Sequence, residues 1–210
     1  MQALLGLSRL IDAMNHVIGK LATWLVLAAV LISAGNAIMR KAFNLSSNAY
    51  LEVQWYLFAA VFMLSAAYVF LLNAHVRIDF ISSRLSKRTN AIIDAVGIVV
   101  FAIPLCVILI DLSWPFFMRA YISGEVSENA GGLIRWPVIF TIPLGFALLA
   151  LQAVSELIKR LAFLTGHRDE PFSFMNEKTP EDELAEEMAA KEAAATEKAL
   201  QARLAQGSKL

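Results

Sequence analysis

The side chains in this sequence with the broadest chemistry are three histidines, His16, His75 and His167, and one cysteine, Cys106. Histidines that face one another inside a helix bundle could bind a haem iron, and clustered histidines and cysteines could bind a transition metal. The three histidines fall in separate segments, at or beyond the ends of hydrophobic runs, so no pair is predicted to meet within a bundle. A single cysteine forms neither an intramolecular disulfide nor a cysteine metal cluster. We therefore expect no cofactor and no metal ion.

Sequence motifs for other chemistry are also absent. Nucleophile elbows, phosphate-binding loops and metal-binding pairs of histidine and glutamate do not occur in the chain. The 18 lysines and arginines balance the 18 aspartates and glutamates, so the chain lacks the net positive charge that nucleic-acid binding requires. We expect neither an enzyme nor a nucleic-acid-binding protein.

The elements that carry these residues are hydrophobic enough to cross a membrane. Hydrophobic residues make up 58% of the chain, and its mean hydropathy is +0.60. Lipid offers the backbone no hydrogen-bond partners, so uncharged stretches of about 18 residues or more indicate membrane-spanning helices. We predict an all-α integral membrane protein whose four-helix membrane domain covers residues 21–160. The four spans are predicted at residues 21–39, 53–73, 91–111 and 136–157.

The distribution of basic residues predicts the orientation of the spans, because lysine and arginine in short flanking segments favour the cytoplasmic side. One side of the predicted membrane domain holds Arg9, Lys20, Arg77, Arg84, Lys87, Arg88, Lys159, Arg160 and Arg168. The other side holds only Arg40, Lys41, Arg119 and Arg135. The excess predicts that both termini are cytoplasmic.

Residues 1–20 are predicted to form an amphipathic leader helix. The apolar run that follows is about twice the length of a signal-peptide core, which argues against a cleaved signal peptide. One face of the helix carries Leu4, Leu7, Ile11, Met14, Ile18 and Leu21, and the other carries Ser8, Arg9, Asp12, Asn15, His16 and Lys20. Such a helix either lies in the cytoplasmic membrane interface or continues directly into the first span.

The carboxyl-terminal part of the chain changes to a polar composition. Residues 161–178 are predicted to be a linker, and residues 179–207 a cytoplasmic helix rich in alanine, glutamate and lysine. Thr179 is the expected N-cap, with Pro180 at the first helical position. No continuous apolar stripe runs along this charged helix, so it is expected either to be solvated or to dock on a partner.

Polar side chains are scarce inside the predicted spans. They are Thr23, Ser33, Asn36, Ser65, Tyr68, Cys106, Thr141 and Gln152. A protein that moves ions or organic anions needs polar ligands near the bilayer midplane, because these replace the water around the solute. The scarcity predicts an accessory or scaffold subunit that acts through a partner.

Two stretches of the chain resemble a known family. In the first, Arg40 is followed by Glu52 and Trp55 at the start of the second span, and then by the sequence from His75 to Asp79 at its end. The second contains Glu128-Asn129-Ala130-Gly131-Gly132, Trp136-Pro137 and Ile142-Pro143-Leu144-Gly145-Phe146. Over residues 20 to 160, the chain resembles the small membrane subunit, the DctQ component, of tripartite ATP-independent periplasmic (TRAP) transporters.

The resemblance implies a scaffold role in the inner membrane of a bacterium. The partners that it implies are a large membrane subunit, which carries the substrate and sodium sites, and a periplasmic substrate-binding protein, which binds transiently and delivers an organic acid. A mobile domain of the large subunit would then carry the acid across, while this chain enlarges the fixed domain. The alternative is a self-sufficient homo-oligomeric transporter or channel.

Two sets of residues are candidates for contacts under this interpretation. Candidate contacts with the large subunit or with phospholipid are Arg40, Glu52, Trp55, His75, Arg77 and Asp79. For Glu52 the expected partner is Arg40, a basic residue of the large subunit or the headgroup region. Candidates for docking the binding protein, or for an interfacial aromatic belt, are Trp114, Phe117, Tyr121, Glu125, Glu128 and Trp136.

Overall fold

The structure, a computed structural model, describes residues 1–44, 47–74, 84–129, 131–168 and 188. Its helices are α1 (Gln2–Phe43), α2 (Asn48–Leu71), α3 (Lys87–Gly97), α4 (Ile103–Ser123) and α5 (Trp136–Leu164), and a π-helical turn, Ile98–Ala102, joins α3 to α4. Within these ranges, four helical segments are long and apolar enough to cross a membrane: α1, α2, the continuous segment from α3 to α4, and α5. The predicted all-α fold with four membrane-spanning helices is confirmed.

The leader segment and the first span form a single helix. α1 contains 42 residues, which at 1.5 Å per residue is about 63 Å, twice the roughly 30 Å of a bilayer core. The helix ends at Asn44, whose left-handed backbone (φ 54°) lets its N–H donate to the carbonyl of Met39. Arg40 and Lys41 in the last turn lie at the negative end of the helix dipole, where cations are favoured.

The third segment contains a π-helical turn that a proline explains. Pro104 has no backbone N–H, so it cannot complete a regular helical ladder. The preceding turn widens accordingly, and the N–H of Ile103 donates to the carbonyl of Ile98, five residues back. The helix then continues to Ser123, well past the predicted end of the span at residue 111.

α5 is the central helix, because it contacts every other described helix and the π-helical turn. Glycines allow two close approaches within the bundle. A Cβ on Gly145 of α5 would lie 2.7 Å from the backbone oxygen of Met63 in α2, and a Cβ on Gly19 of α1 would lie 2.2 Å from the ring of Tyr68. α5 extends to Leu164, past the predicted start of the linker at residue 161. Nearly all of the predicted charged helix, residues 179–207, lies outside the described residues.

Candidate functional site: two buried polar clusters

The first cluster of polar residues, here called the leader cluster, lies where the start of α1 packs against the end of α5. Positions 8, 12 and 15 share one face of α1, and positions 152, 155, 156, 159 and 160 share one face of α5, because residues three or four apart are neighbours on a helix. α3 adds a carboxylate at the edge. The leader cluster consists of Ser8, Asp12, Asn15, Gln152, Ser155, Glu156, Lys159, Arg160 and Asp94.

Hydrogen bonds between α1 and α5 run through the amide and hydroxyl groups of the leader cluster. Asn15 Nδ2 donates to Gln152 Oε1 at 2.8 Å, and Gln152 Nε2 donates to Asp12 Oδ1 at 2.9 Å. Ser155 Oγ donates to the same Asp12 oxygen at 2.7 Å and lies 2.7 Å from Ser8 Oγ. Each α1 residue of the cluster therefore has a direct partner on α5.

The charged groups of the leader cluster alternate in sign. Lys159 Nζ lies 3.1 Å from Asp12 Oδ2 and also contacts Glu156. Arg160 Nη1 lies 2.5 Å from Glu156 Oε2, and its Nε lies 3.4 Å from Asp94 Oδ2. Lys159 and Arg160 are only 1% and 2% exposed, so these charges are removed from water. Burial of charge is tolerated when opposite charges and hydrogen bonds surround each group, as they do here.

Part of the polar face of the leader helix is directed into the protein. Asp12 and Asn15 point into the protein, while the apolar residues Leu7, Leu10 and Leu21 are 47%, 68% and 58% exposed. Ser8, Asp12 and Asn15 are buried because α5 offers a matching polar face, whereas Arg9 and Lys20 of the same helix are exposed. Lys159 and Arg160, which were counted as basic residues flanking the last span, are buried for the same reason.

The predicted set of polar residues at membrane depth also leaves out two members. Gln152 lies 16 residues after Trp136, about 24 Å along α5, which is within the depth of a roughly 30 Å hydrocarbon core. At that depth it meets Asp12 and Asn15, which are predicted to lie outside the spans. The signal that could have found this cluster is the match between two polar helix faces, 8/12/15 and 152/155/156/159.

The second cluster, here called the Glu52 cluster, lies at the start of α2 and holds the loop between α4 and α5. Glu52 is 2% exposed. Its Oε1 accepts from Ser127 Oγ at 2.5 Å and from Asn129 Nδ2 at 2.7 Å, and its Oε2 accepts from the backbone N–H of Leu133 at 2.7 Å. One carboxylate therefore fixes three points of the loop.

The loop itself forms a short antiparallel turn. Val126 and Ile134 pair as a β-bridge, and the N–H of Ser127 donates to the carbonyl of Leu133 at 2.9 Å. Gly131 has a positive φ of 75°, which disfavours other residues. A Cβ on Gly132 would lie 2.5 Å from the carbonyl oxygen of Ser127. The adjacent glycines of the sequence motif are thus explained by the tight path of this turn.

The predicted contacts of Glu52 are corrected by this arrangement. Its carboxylate accepts from the loop and is buried, so it neither reaches for lipid headgroups nor uses Arg40. Arg40 is exposed near the end of α1, and Trp55 is 66% exposed on α2. The candidates His75, Arg77 and Asp79 lie outside the described residues.

The predicted aromatic set lies where α4 meets the start of α5. The ring of Phe117 is 4.9 Å from that of Phe140 and 5.5 Å from that of Trp114, and the rings of Tyr121 and Trp136 are 5.5 Å apart. Phe117 is 9% exposed, so its role is packing between α4 and α5 rather than docking or interfacial anchoring.

The remaining candidates of this set are two carboxylates and the outer rings. Glu125 forms an ion pair with Arg135, and Glu128 is exposed. Trp114 and Tyr121 remain 50% and 55% exposed, which leaves them available to lipid or to a partner.

Within each cluster, polar groups of this chain bind one another. Across the described ranges, no three histidine, cysteine, aspartate or glutamate side chains are grouped so that they could hold a metal ion. Charges and amides that are bound in this way hold helices and a loop in place. The fold defines a class: a helical protein whose described residues include four segments able to span a membrane.

The chain matches the model of one protein family. The family model described as "Tripartite ATP-independent periplasmic transporters, DctQ component" matches residues 29–163, which is more than half of the chain. This chain belongs to that family, so it is a DctQ component of a tripartite transporter, as its resemblance predicted. Neither a curated protein nor a solved structure matches the chain.

Proposed function

We propose that this chain is the scaffold subunit of a TRAP transporter. It supports a larger membrane subunit during sodium-coupled uptake of an organic acid, which a periplasmic binding protein delivers. The observation that carries this proposal is the pair of buried clusters, whose polar groups bind partners within the chain. In alternating access, one domain of a transporter moves between two arrangements while another stays fixed. Helices joined by buried hydrogen bonds and ion pairs, as here, suit the fixed domain.

The proposed orientation in the bacterial inner membrane has both termini in the cytoplasm. The leader cluster is then near the cytoplasmic surface, and the Glu52 cluster is in the periplasm, where the binding protein arrives. A reporter enzyme that is active only outside the cytoplasm tests this orientation. Fused after Lys87 it should be inactive, and fused after Glu128 it should be active. The reverse pattern would contradict the topology.

The loop held by Glu52 is the proposed contact for the binding protein. Ile122 and Val126 are 77% and 55% exposed beside it, and Glu128 is exposed at its tip. A loop that is already held in one conformation loses little conformational entropy when a partner binds. Such a surface suits a transient contact that forms and breaks in each transport cycle.

A reconstituted system tests the scaffold role. A panel of keto acids, sugar acids and aromatic acids, screened for thermal stabilisation of the binding protein encoded beside this chain, identifies the acid to use. Proteoliposomes containing this chain and the large subunit should then accumulate that radiolabelled acid when the binding protein and an inward sodium gradient are present. Vesicles that contain only this chain should show no uptake.

Two results would contradict the proposal. Uptake by this chain alone would favour the alternative, a homo-oligomeric transporter. Equal uptake by the large subunit with and without this chain would remove the need for a scaffold.

A further inference from the structure

The carboxylate of Glu52 connects the two arms of the loop between α4 and α5. Ser127 in the first arm and Leu133 in the second are joined directly, because the N–H of Ser127 donates to the carbonyl of Leu133 at 2.9 Å. Both residues also donate to Glu52, Ser127 through its hydroxyl and Leu133 through its backbone N–H. In the part of the chain that the structure describes, the side-chain hydrogen bonds between this loop and α2 all end on this one carboxylate. Glu52 is therefore a clamp that closes the two arms from the side of α2.

The clamp determines the shape of an exposed surface. Val126 and Ile134 pair across the two arms and are 55% and 49% exposed, and Ile122 in the last turn of α4 is 77% exposed. Glu128 adds an exposed carboxylate at the tip. Because these side chains come from both arms, their relative positions depend on how firmly the arms are held. Glu52 itself is 2% exposed, so it is not part of this surface.

We propose that Glu52 is a positioning residue for the periplasmic binding protein. Buried beneath the loop, it touches neither that protein nor the transported acid, and its clamp holds the loop in the conformation that the binding protein recognises. This inference rests on the proposed function, in which the loop is the contact for the binding protein. A loop that is ordered before binding loses little conformational entropy on binding. Without the clamp, the loop must be ordered during each encounter, so the affinity falls while the transport steps that follow docking are unaffected.

Uptake by the reconstituted complex, measured against the concentration of the acid-loaded binding protein, tests the proposal. Glu52→Gln should raise the concentration of binding protein that gives half-maximal uptake by at least about fivefold, because the amide cannot accept all three hydrogen bonds. The maximal uptake rate should change by less than about twofold, because the steps after docking do not involve the loop. A merely structural role would instead lower the maximal rate, because less complex would assemble.

The matched control is Glu125→Gln in the same loop. It makes the same change of a carboxylate to an amide, but it breaks only the ion pair with Arg135, whose two side chains are 39% and 43% exposed. The half-maximal concentration of binding protein should then change by less than about twofold, because an exposed pair contributes little. An increase as large as that of Glu52→Gln would mean that the charge of the loop, and not the clamp, attracts the binding protein, and it would overturn the inference.

A disulfide that replaces the clamp provides a second test. Val126 and Ile134 face each other in the β-bridge, and backbone hydrogen bonds flank them on both sides, so they form a non-hydrogen-bonded pair. The Cα atoms of such pairs are about 4.5 Å apart, which is within the range that a disulfide spans. In a chain that carries Glu52→Gln, Val126→Cys and Ile134→Cys, oxidation should lower the half-maximal concentration of binding protein at least about threefold relative to the reduced form. The native Cys106 is buried, so it does not compete.

The outcomes separate this inference from the function on which it rests. If the unmodified complex takes up the acid equally well without the binding protein, both the proposed function and the inference fail. If uptake depends on the binding protein but Glu52→Gln leaves the half-maximal concentration unchanged, or lowers only the maximal rate, the inference fails and the function stands. The inference also fails if oxidation of the disulfide variant leaves the half-maximal concentration as high as in its reduced form.

Discussion

The leader cluster and the Glu52 cluster both bury carboxylates, but they hold different kinds of structure. In the leader cluster, charges on regular helix faces meet other charges, and each of its three carboxylates faces a cation. In the Glu52 cluster, a single carboxylate binds hydroxyl, amide and backbone donors of an irregular loop. The first arrangement sets how helices pack, and the second sets the shape of a surface.

Because of this difference, we expect the leader cluster to stabilise the helix bundle and the Glu52 cluster to stabilise the loop. Removing one charge from the leader cluster leaves its opposite charge buried and unpaired, so the whole bundle is expected to lose stability. Removing the Glu52 charge frees a loop between two helices that remain packed against each other. Stability measurements and local measurements of the loop should therefore respond differently to changes in the two clusters.

The largest expected effect is that of Lys159→Met. The substitution keeps most of the side-chain volume but leaves Asp12 without its cation, so we expect the free energy of unfolding to fall by about 3–5 kcal/mol. Denaturant-induced unfolding in detergent micelles measures this loss. Lys20→Met, at an exposed position of α1, should change the unfolding free energy by no more than about 0.5 kcal/mol.

A double substitution separates the contribution of charge pairing from that of the hydrogen bonds of Asp12. Asp12→Leu combined with Lys159→Met removes both charges, so it should be less destabilising than Lys159→Met alone, since replacing a buried pair by apolar groups is often close to neutral. A double variant that is less stable than the single one would mean that the hydrogen bonds of Asp12, not its charge pairing, hold α1 on α5.

An intermediate effect is expected for Glu52→Gln. The amide cannot accept from all three donors, and we expect a loss of about 1–3 kcal/mol that is concentrated in the loop. Hydrogen exchange at the backbone N–H of Leu133 should accelerate at least tenfold, while exchange near Asn15 stays unchanged. Glu128→Gln, at the exposed tip, is the control. Equal acceleration in both regions would contradict the separation of the two clusters.

The smallest effect is expected for Glu125→Gln, which breaks the ion pair with Arg135 at the base of the loop. The side chains of Glu125 and Arg135 are 39% and 43% exposed, so water and salt screen the pair. We expect a loss below about 1 kcal/mol that disappears at high ionic strength. A larger loss, unaffected by salt, would mean that this pair is part of the Glu52 cluster.

The number of spans and the identity of the family followed from the sequence, because both depend on long patterns. Hydropathy alone separated the four apolar segments, and the motifs around Glu52 and Gly132 indicated the family. The leader cluster was missed because its two halves are about 140 residues apart and each half has an ordinary explanation by itself. The family match begins at residue 29, so it carried no signal for Asp12 or Asn15.

The partner of Glu52 was missed for a different reason. A carboxylate at the start of a span has several possible partners, and only the path of the loop decides among them. The two glycines at 131 and 132 signalled a tight turn, but sequence does not give the direction in which such a turn folds back. The three donors that converge on Glu52 come from side chains and backbone that no helical periodicity brings together.

The four membrane-spanning helices could be predicted from composition, because the energetic cost of exposing backbone and charge to lipid depends on the local sequence. The tertiary structure alone decided which way the polar face of the leader points and which groups hold the loop. That choice depends on whether a complementary surface exists elsewhere in the chain. The polar face of α5 turns Asp12 and Asn15 inward and leaves the leucines of the leader on the outside.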